Sequence, residues 1–320
     1  MREVAFLRKN AEKWRRFEGL LISSKNQDPD ELAELYMELT SDLAYAQSHY
    51  PNSKTEQYLN QLTLKVHDSI YKTQKEEYGR LITFWTKELP ELFASKQKEL
   101  LYSFLVFIVA ISIGALSQAN DATFARIIIG DAYVNMTTSN IENGDPLAVY
   151  KDSKQADMFF RITINNIRVS FIAFVAGVLT SLGTGYILFQ NGIMVGAFFQ
   201  FFSGYGLLNK ALLVVFIHGT LELSAIVIAG AAGMVLGNGL LFPKTLSRAK
   251  SFAISAKEGA KMVIGLIPVF IMAGALESFV TRYTEMPVWL SLLIIILSAS
   301  FILYFYVMLP WKFKLKKLTK

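Results

Sequence analysis

The chain has 320 residues, 52% of them hydrophobic, with a net charge of +6 and no cysteine. Its apolar residues concentrate after Leu100, which excludes an ordinary soluble domain, and the lack of thiols excludes a disulfide framework and every thiolate metal site. The basic surplus sits in Lys244 to Lys261 and in the tail WKFKLKKLTK. These are short flanks of apolar stretches, so the preference for cationic loops on the cytoplasmic side explains them and no nucleic-acid partner is implied.

Residues 1–98 read as a polar helical domain. Val4, Leu7, Ala11, Trp14, Phe17 and Leu21 form a stripe at helical spacing, ringed by Arg8, Lys9, Lys13, Arg15 and Arg16. A second helix starts at Asp28-Pro29-Asp30-Glu31, where Asp28 caps, Pro29 takes the first helical position and Glu31 completes a capping box. Its apolar face is Leu32, Leu35, Leu39, Leu43 and Ala46, and it stops near Pro51. A third helix from Lys54 buries Leu59, Leu62, Val66 and Ile70. A fourth, Leu81 to Lys98, mixes Ile82, Trp85, Leu89 and Phe93 with lysines and contains Pro90, the pattern of an elbow at a membrane interface. His49 and His67 have no motif partners and read as surface or packing residues.

From Leu100 the pattern changes to membrane spans, each needing roughly 20 apolar residues. The first is Leu100 to Leu116, followed by a polar loop, 118–163, with some helix around Ala122 to Tyr133. The second, Ile167 to Phe189, carries a ladder of small residues, Ala173, Gly177, Ser181 and Gly185, on which a neighbouring helix can pack closely. Gln190-Asn191-Gly192 reads as a turn. The short segment Ile193 to Leu207 then either crosses or re-enters. The fourth span, Leu212 to Leu241, has its own ladder, Ala225, Ala229, Gly233 and Gly237. A basic loop, Phe242 to Lys261, leads to a fifth span, Met262 to Val280, bent at Pro268, and a sixth, Val288 to Leu309. The expected fold is therefore all-α: a cytoplasmic helical domain (1–98), a bundle of about six spans (99–311) and a basic cytoplasmic tail (312–320). With both ends in the cytoplasm of a cell membrane, all short basic flanks fall on one side. The similar ladders and the Asn-Gly endings at Asn191 and Asn238, read as helix terminators, hint at an internal repeat of the second and fourth spans.

The fourth span contains the chemistry. His218 and Glu222 are four residues apart, on one helical face, about 9 and 15 Å below its outer end at 1.5 Å per residue. Glu277, Asn165, Asn166 and Arg168 belong near the outer ends of the fifth and second spans, so the groups can converge. A carboxylate at that depth must be neutral, paired or reached by water. It is then either a polar peg that fixes helix packing or a proton or cation site in a translocation path. As metal ligands, His218 and Glu222 alone are one short of a three-ligand catalytic site. There is no H-E-x-x-H, G-x-S-x-G or G-x-x-x-x-G-K-[ST], so neither an enzyme nor a cofactor is expected; an intramembrane metal hydrolase would need Glu277 as well and a water-filled cavity.

His218-Gly219-Thr220-Leu221-Glu222-Leu223 with Ile228-Ala229-Gly230-Ala231-Ala232-Gly233, Asn166 with Phe174-Val175-Ala176-Gly177, Asn191-Gly192, and Ala275-Leu276-Glu277-Ser278-Phe279-Val280 resemble the signature of the stage II sporulation protein M family. The resemblance covers about Leu100 to Leu309. It implies a membrane scaffold in a complex that remodels the cell envelope, with wider relatives suspected of transport. The long helical extension before the first span departs from the sporulation protein. Two functions are thus expected to compete. One is a scaffold in the lipid bilayer, forming a homo-oligomer or binding other membrane proteins, with residues 1–98 holding a cytoplasmic partner. The other is a proton- or ion-coupled transporter working through His218, Glu222 and Glu277.

Overall fold

The computed structural model describes residues 2–22, 29–71, 79–151 and 154–318, and every element among them is helical. The chain divides between Arg80 and Leu81 into two compact units.

The first unit contains α1 (Glu3–Ile22), α2 (Pro29–His49) and α3 (Lys54–Tyr71). Its core is Phe6, Trp14, Phe17, Leu39, Leu43, Ala46, Leu59 and Leu62. Val4 and Leu7 are exposed instead of buried, because the Trp14 indole, donating to Asp42 at 2.9 Å, rotates α1 so that Phe6 points inward and packs edge-on against Trp14. Helix α2 starts at Pro29 as expected. The cap at Asp28 lies outside the described residues, as do the side chains of Leu21, Glu31, Leu32, Leu35, Val66, His67 and Ile70. His49 stacks on Tyr45 with ring centroids 4.0 Å apart.

The second unit opens with a broken elbow: α4 (Arg80–Thr83), a π-helical turn (Phe84–Glu88) and α5 (Leu89–Ser95), with Pro90 in the first turn of α5. Leu89 and Phe93 are fully buried against Met262 and Tyr306, and ion pairs Lys261–Glu88 (2.6 Å) and Lys96–Glu258 (2.7 Å) fasten its polar edge. The elbow thus packs as part of this unit. Helix α6 (Gln97–Asn120) follows, then α7 (Phe124–Ile129) and α8 (Asp131–Glu142) in the loop region, and a short 3-10 turn, Ala148–Tyr150.

Among the described residues, five helical stretches are long and apolar enough to cross a membrane, and the second, Gln155–Gly204, is 50 residues long. That stretch comprises α9 (Gln155–Val175), a 3-10 turn (Ala176–Leu179) and α10 (Thr180–Gly204). Packing directions show that it folds back on itself. Gly192 meets Phe107 and Ala110, and Gly196 meets Ile111 and Ala115, so α6 and α10 run parallel. Leu188 lies against Gly230, Thr184 against Gly233 and Ser181 against Gly237, so α10 is antiparallel to α11 (Leu208–Leu241). Asn166 lies beside Glu222 and Ala173 against Gly233, so α9 runs with α11 and against α10. The bundle therefore has six legs, and the segment expected either to cross or re-enter belongs to a full-length one. The reversal sits at Thr180, whose φ of 71° and ψ of 174° lie in a region almost reserved for glycine.

This reversal corrects the expected turn at Gln190-Asn191-Gly192. Asn191 is mid-helix, its amide donating to Ile187 O at 2.8 Å, and Gly192 is there to admit α6. The first small-residue ladder accordingly straddles the reversal. Ala173, Gly177 and Ser181 still face α11, but Gly185 meets nothing within 4 Å. Asn238 is no terminator either: α11 continues to Leu241, and the Asn238 side chain accepts from Ser181 (3.0 Å) and donates to Glu99 (3.4 Å). The suggested internal repeat of the second and fourth spans loses its basis, because neither Asn-Gly pair ends a helix.

Most of the expected basic loop is helical, since α12 (Arg248–Gly265) starts with Ser247 as its cap, accepting from Lys250 N at 3.4 Å. A break at Leu266, forced by Pro268, leads to α13 (Ile267–Ala275) and a π turn, Leu276–Val280. The last leg is α14 (Val288–Leu303), a π turn at Tyr304–Met308 and α15 (Leu309–Leu318), so the basic tail is helical to Leu318. Helix α11 is the axis: every residue from Ala225 to Gly237 is buried, as expected of a helix apolar all round.

Candidate functional site

The polar groups of α11 are grouped in the half nearer Leu208, where α9 and α10 have moved apart above their shared reversal. The i, i+4 spacing places His218 and Glu222 on the same face, toward α9 and α13. Glu277 arrives from the π turn that ends the α13 leg. Such a turn, one residue wider than an α-helical turn, is frequent at functional sites because it re-aims side chains. One ligand atom from each of His218, Glu222 and Glu277 lies within 4.8 Å of the other two. His218 Nε2 is 3.9 Å from Glu277 Oε2.

A hydrogen-bond chain sets the orientation of the His218 ring. Thr281 Oγ1 donates to Leu276 O (3.2 Å), so with its single proton engaged it accepts from His218 Nδ1 at 3.0 Å. When Thr281 donates to Leu276 O, the neutral ring carries its proton on Nδ1 and turns the Nε2 lone pair toward the Glu277 carboxyl group. Tyr150 closes the site from the loop side, its ring edge-on to His218 with centroids 5.7 Å apart. Burial, then the nearby Glu277 charge, pushes the Tyr150 phenol well above its ordinary pKa, so it stays protonated and neutral.

The three groups border a cavity of about 710 Å³ that is also lined by Arg161, Asn165, Asn166, Tyr133, Met194 and Phe198. Arg161 and Asn165 are exposed, so the cavity communicates with the surface between α9 and α10. Asn166 is 5% exposed and its amide nitrogen, beside Glu222, has no partner in hydrogen-bonding geometry.

Of the residues singled out in the sequence, His218, Glu222, Glu277 and Asn166 converge, and Asn165 lines the same cavity. Arg168 does not: two residues beyond Asn166 on a helix, it turns to the opposite side and is exposed. Thr281, Tyr150, Tyr133 and Arg161 went unread. Thr281 had a legible signal, since it lies four residues beyond Glu277; Tyr150 had none, because its position depends on the long loop region between α6 and α9, whose path only packing decides.

The family model described as "Stage II sporulation protein M" matches residues 103–282, more than half of the chain and all of the groups above. A second model, a domain of unknown function (DUF8413), matches residues 4–72, within the first unit. No curated protein and no solved structure matches the chain.

Proposed function

Because the chain belongs to the Stage II sporulation protein M family, and is a multi-pass membrane protein by its apolar legs, we propose that its bundle takes up a cation from the outer face at His218, Glu222 and Glu277 and passes it across the membrane. The observation that carries this reading is the cavity: two carboxylates and an imidazole converge beside about 710 Å³ of space with a polar rim. A peg that only fixed helix packing would be enclosed by its partners and would need no such volume. Below the cavity the small residues of α11 close the path, so passage requires α9 and α10 to separate from α11, hinging at the reversal by Thr180. In this reading the 121–154 region faces outward, and both chain ends are cytoplasmic in the cell membrane.

The test is flux of protons and metal ions into proteoliposomes holding the full chain. Glu222→Gln keeps the shape and removes the charge; it is expected to abolish flux while leaving thermal stability and oligomeric state unchanged. Equal flux in the two proteins would overturn the reading.

A second reading draws on the first unit, which has its own aromatic core and exposes Val4, Met37 and Leu64. These exposed apolar side chains suit the docking of a cytoplasmic protein, with the bundle anchoring a cell-envelope assembly as a scaffold or homo-oligomer. It predicts that removing residues 1–80 abolishes partner capture but leaves flux intact.

A further inference from the structure

We propose that the cation taken by His218, Glu222 and Glu277 is a divalent first-row transition metal, bound directly by His218 Nε2 and one oxygen of each carboxylate. The inference rests on the reading of the cavity as a cation site and specifies its occupant.

With Thr281 engaging Nδ1, His218 Nε2 and the Glu277 oxygen face each other at 3.9 Å, too far apart for a hydrogen bond and spaced to share an ion. In a tetrahedral site with bonds of 2.0–2.1 Å, ligand atoms are about 3.3 Å apart, so the observed set, all within 4.8 Å, closes onto an ion by side-chain movement of about an ångström. A hydrogen-bonded second nitrogen is what fixes and activates a metal-ligating imidazole, and Thr281 supplies that contact.

Charge and ligand type then narrow the ion. Two carboxylates with a neutral imidazole carry two negative charges, which a divalent ion cancels and a monovalent ion leaves half-compensated in an apolar surrounding, where residual charge is expensive. Sodium, magnesium and calcium favour all-oxygen shells of six or more ligands. Imidazole with carboxylates suits manganese, iron, cobalt and zinc. Asn166 is the second sign: an amide 5% exposed, lining the cavity and directed at Glu222 without reaching full hydrogen-bonding geometry. Its N–H is placed to bond the non-ligating oxygen of Glu222 once the other oxygen is on the ion.

The experiment uses the full chain in lipid nanodiscs, stripped with chelator and titrated with Co²⁺ alone, reading the visible d–d bands and the bound metal per chain. One Co²⁺ per chain is expected. Glu277→Gln and His218→Gln, which preserve volume, should each weaken binding by about 100-fold, at or beyond the upper end of the loss seen on removing outer contacts to a ligand. X-ray absorption of the Zn²⁺-loaded native protein needs no variant and should show one imidazole with oxygen ligands; an imidazole-free shell would overturn the inference. So would Co²⁺ bound equally by both variants. Absence of metal binding with Glu222-dependent proton flux intact would sink the metal and leave the cation reading standing. Neither metal binding nor flux would sink both.

Discussion

Helix α11 is one continuous element with two unlike halves. From Ala225 to Gly237 every residue is buried, and a Cβ on Gly233 would come within 2.5 Å of Ala173 O and overlap Thr184. From Leu213 to Leu223 burial alternates, and the helix presents His218 and Glu222 to a cavity. The difference shows how a membrane bundle, lacking a hydrophobic drive between its helices, divides its work. Small residues bring backbones into contact at one end, and that rigid contact lets the other end hold ionisable groups apart from their natural partners.

The sharpest way to break this division is Gly233→Val. The added atoms meet backbone at Ala173, which cannot move without shifting α9, so the cost should exceed the usual range for overpacking and reach about 3 kcal/mol or more. Loss of a monodisperse folded species in detergent is the expected result. A native melting temperature in the variant would mean that the close approach contributes nothing.

The open half is tested more finely by Thr281→Val, which preserves shape while removing the acceptor for His218 Nδ1. Thr281 is a positioning residue. Its loss should weaken Co²⁺ binding by about 10-fold, the low end of the effect of such outer contacts, and shift the d–d bands as the ring loses its orientation. Thr281→Ser should restore both. A variant that melts earlier yet binds Co²⁺ normally would show that Thr281 matters for folding alone.

These two halves were unequally legible in the sequence. His218 and Glu222 stood out because a long apolar run has no ordinary place for them, and Ala225, Ala229, Gly233 and Gly237 stood out by spacing. The packing of α6 on α10 was missed although its signal was of the same kind. Ala110 and Gly114 on one helix and Gly192 and Gly196 on the other, each pair four residues apart, line the contact: Gly192 meets Ala110, Gly114 meets Ile193 and Gly196 meets Ile111. Asn-Gly is so strong a turn signal that it hid the ladder, whereas the true reversal falls at Leu179-Thr180, residues with no turn propensity, imposed on a strained backbone by the packing of Gly177 against Gly233. Local chemistry marks a turn only when the turn is locally determined. The convergence of Glu277 on the α11 pair was expected from depth alone, but the π turn that aims it is a backbone feature for which the residues Leu276 to Val280 carry no signature.

The smallest effect is the most discriminating, because it adds the same methyl group that the closed half rejects. Gly219 lies on α11 next to His218, and a Cβ there would meet only Val215 Cγ1 at 3.5 Å, an ordinary contact. Glycine in a helix interior costs roughly 0.5–1 kcal/mol relative to alanine through the greater freedom of its unfolded chain. Gly219→Ala should therefore raise stability by about that amount, seen as a small increase in melting temperature, with Co²⁺ affinity unchanged because the methyl group adds no donor and displaces no ligand. Gly233→Ala, the identical chemical change fourteen residues further along, should lower stability. If both substitutions moved it in the same direction, the two halves of α11 would be packed alike, and the cavity at His218 would owe nothing to the closure below it.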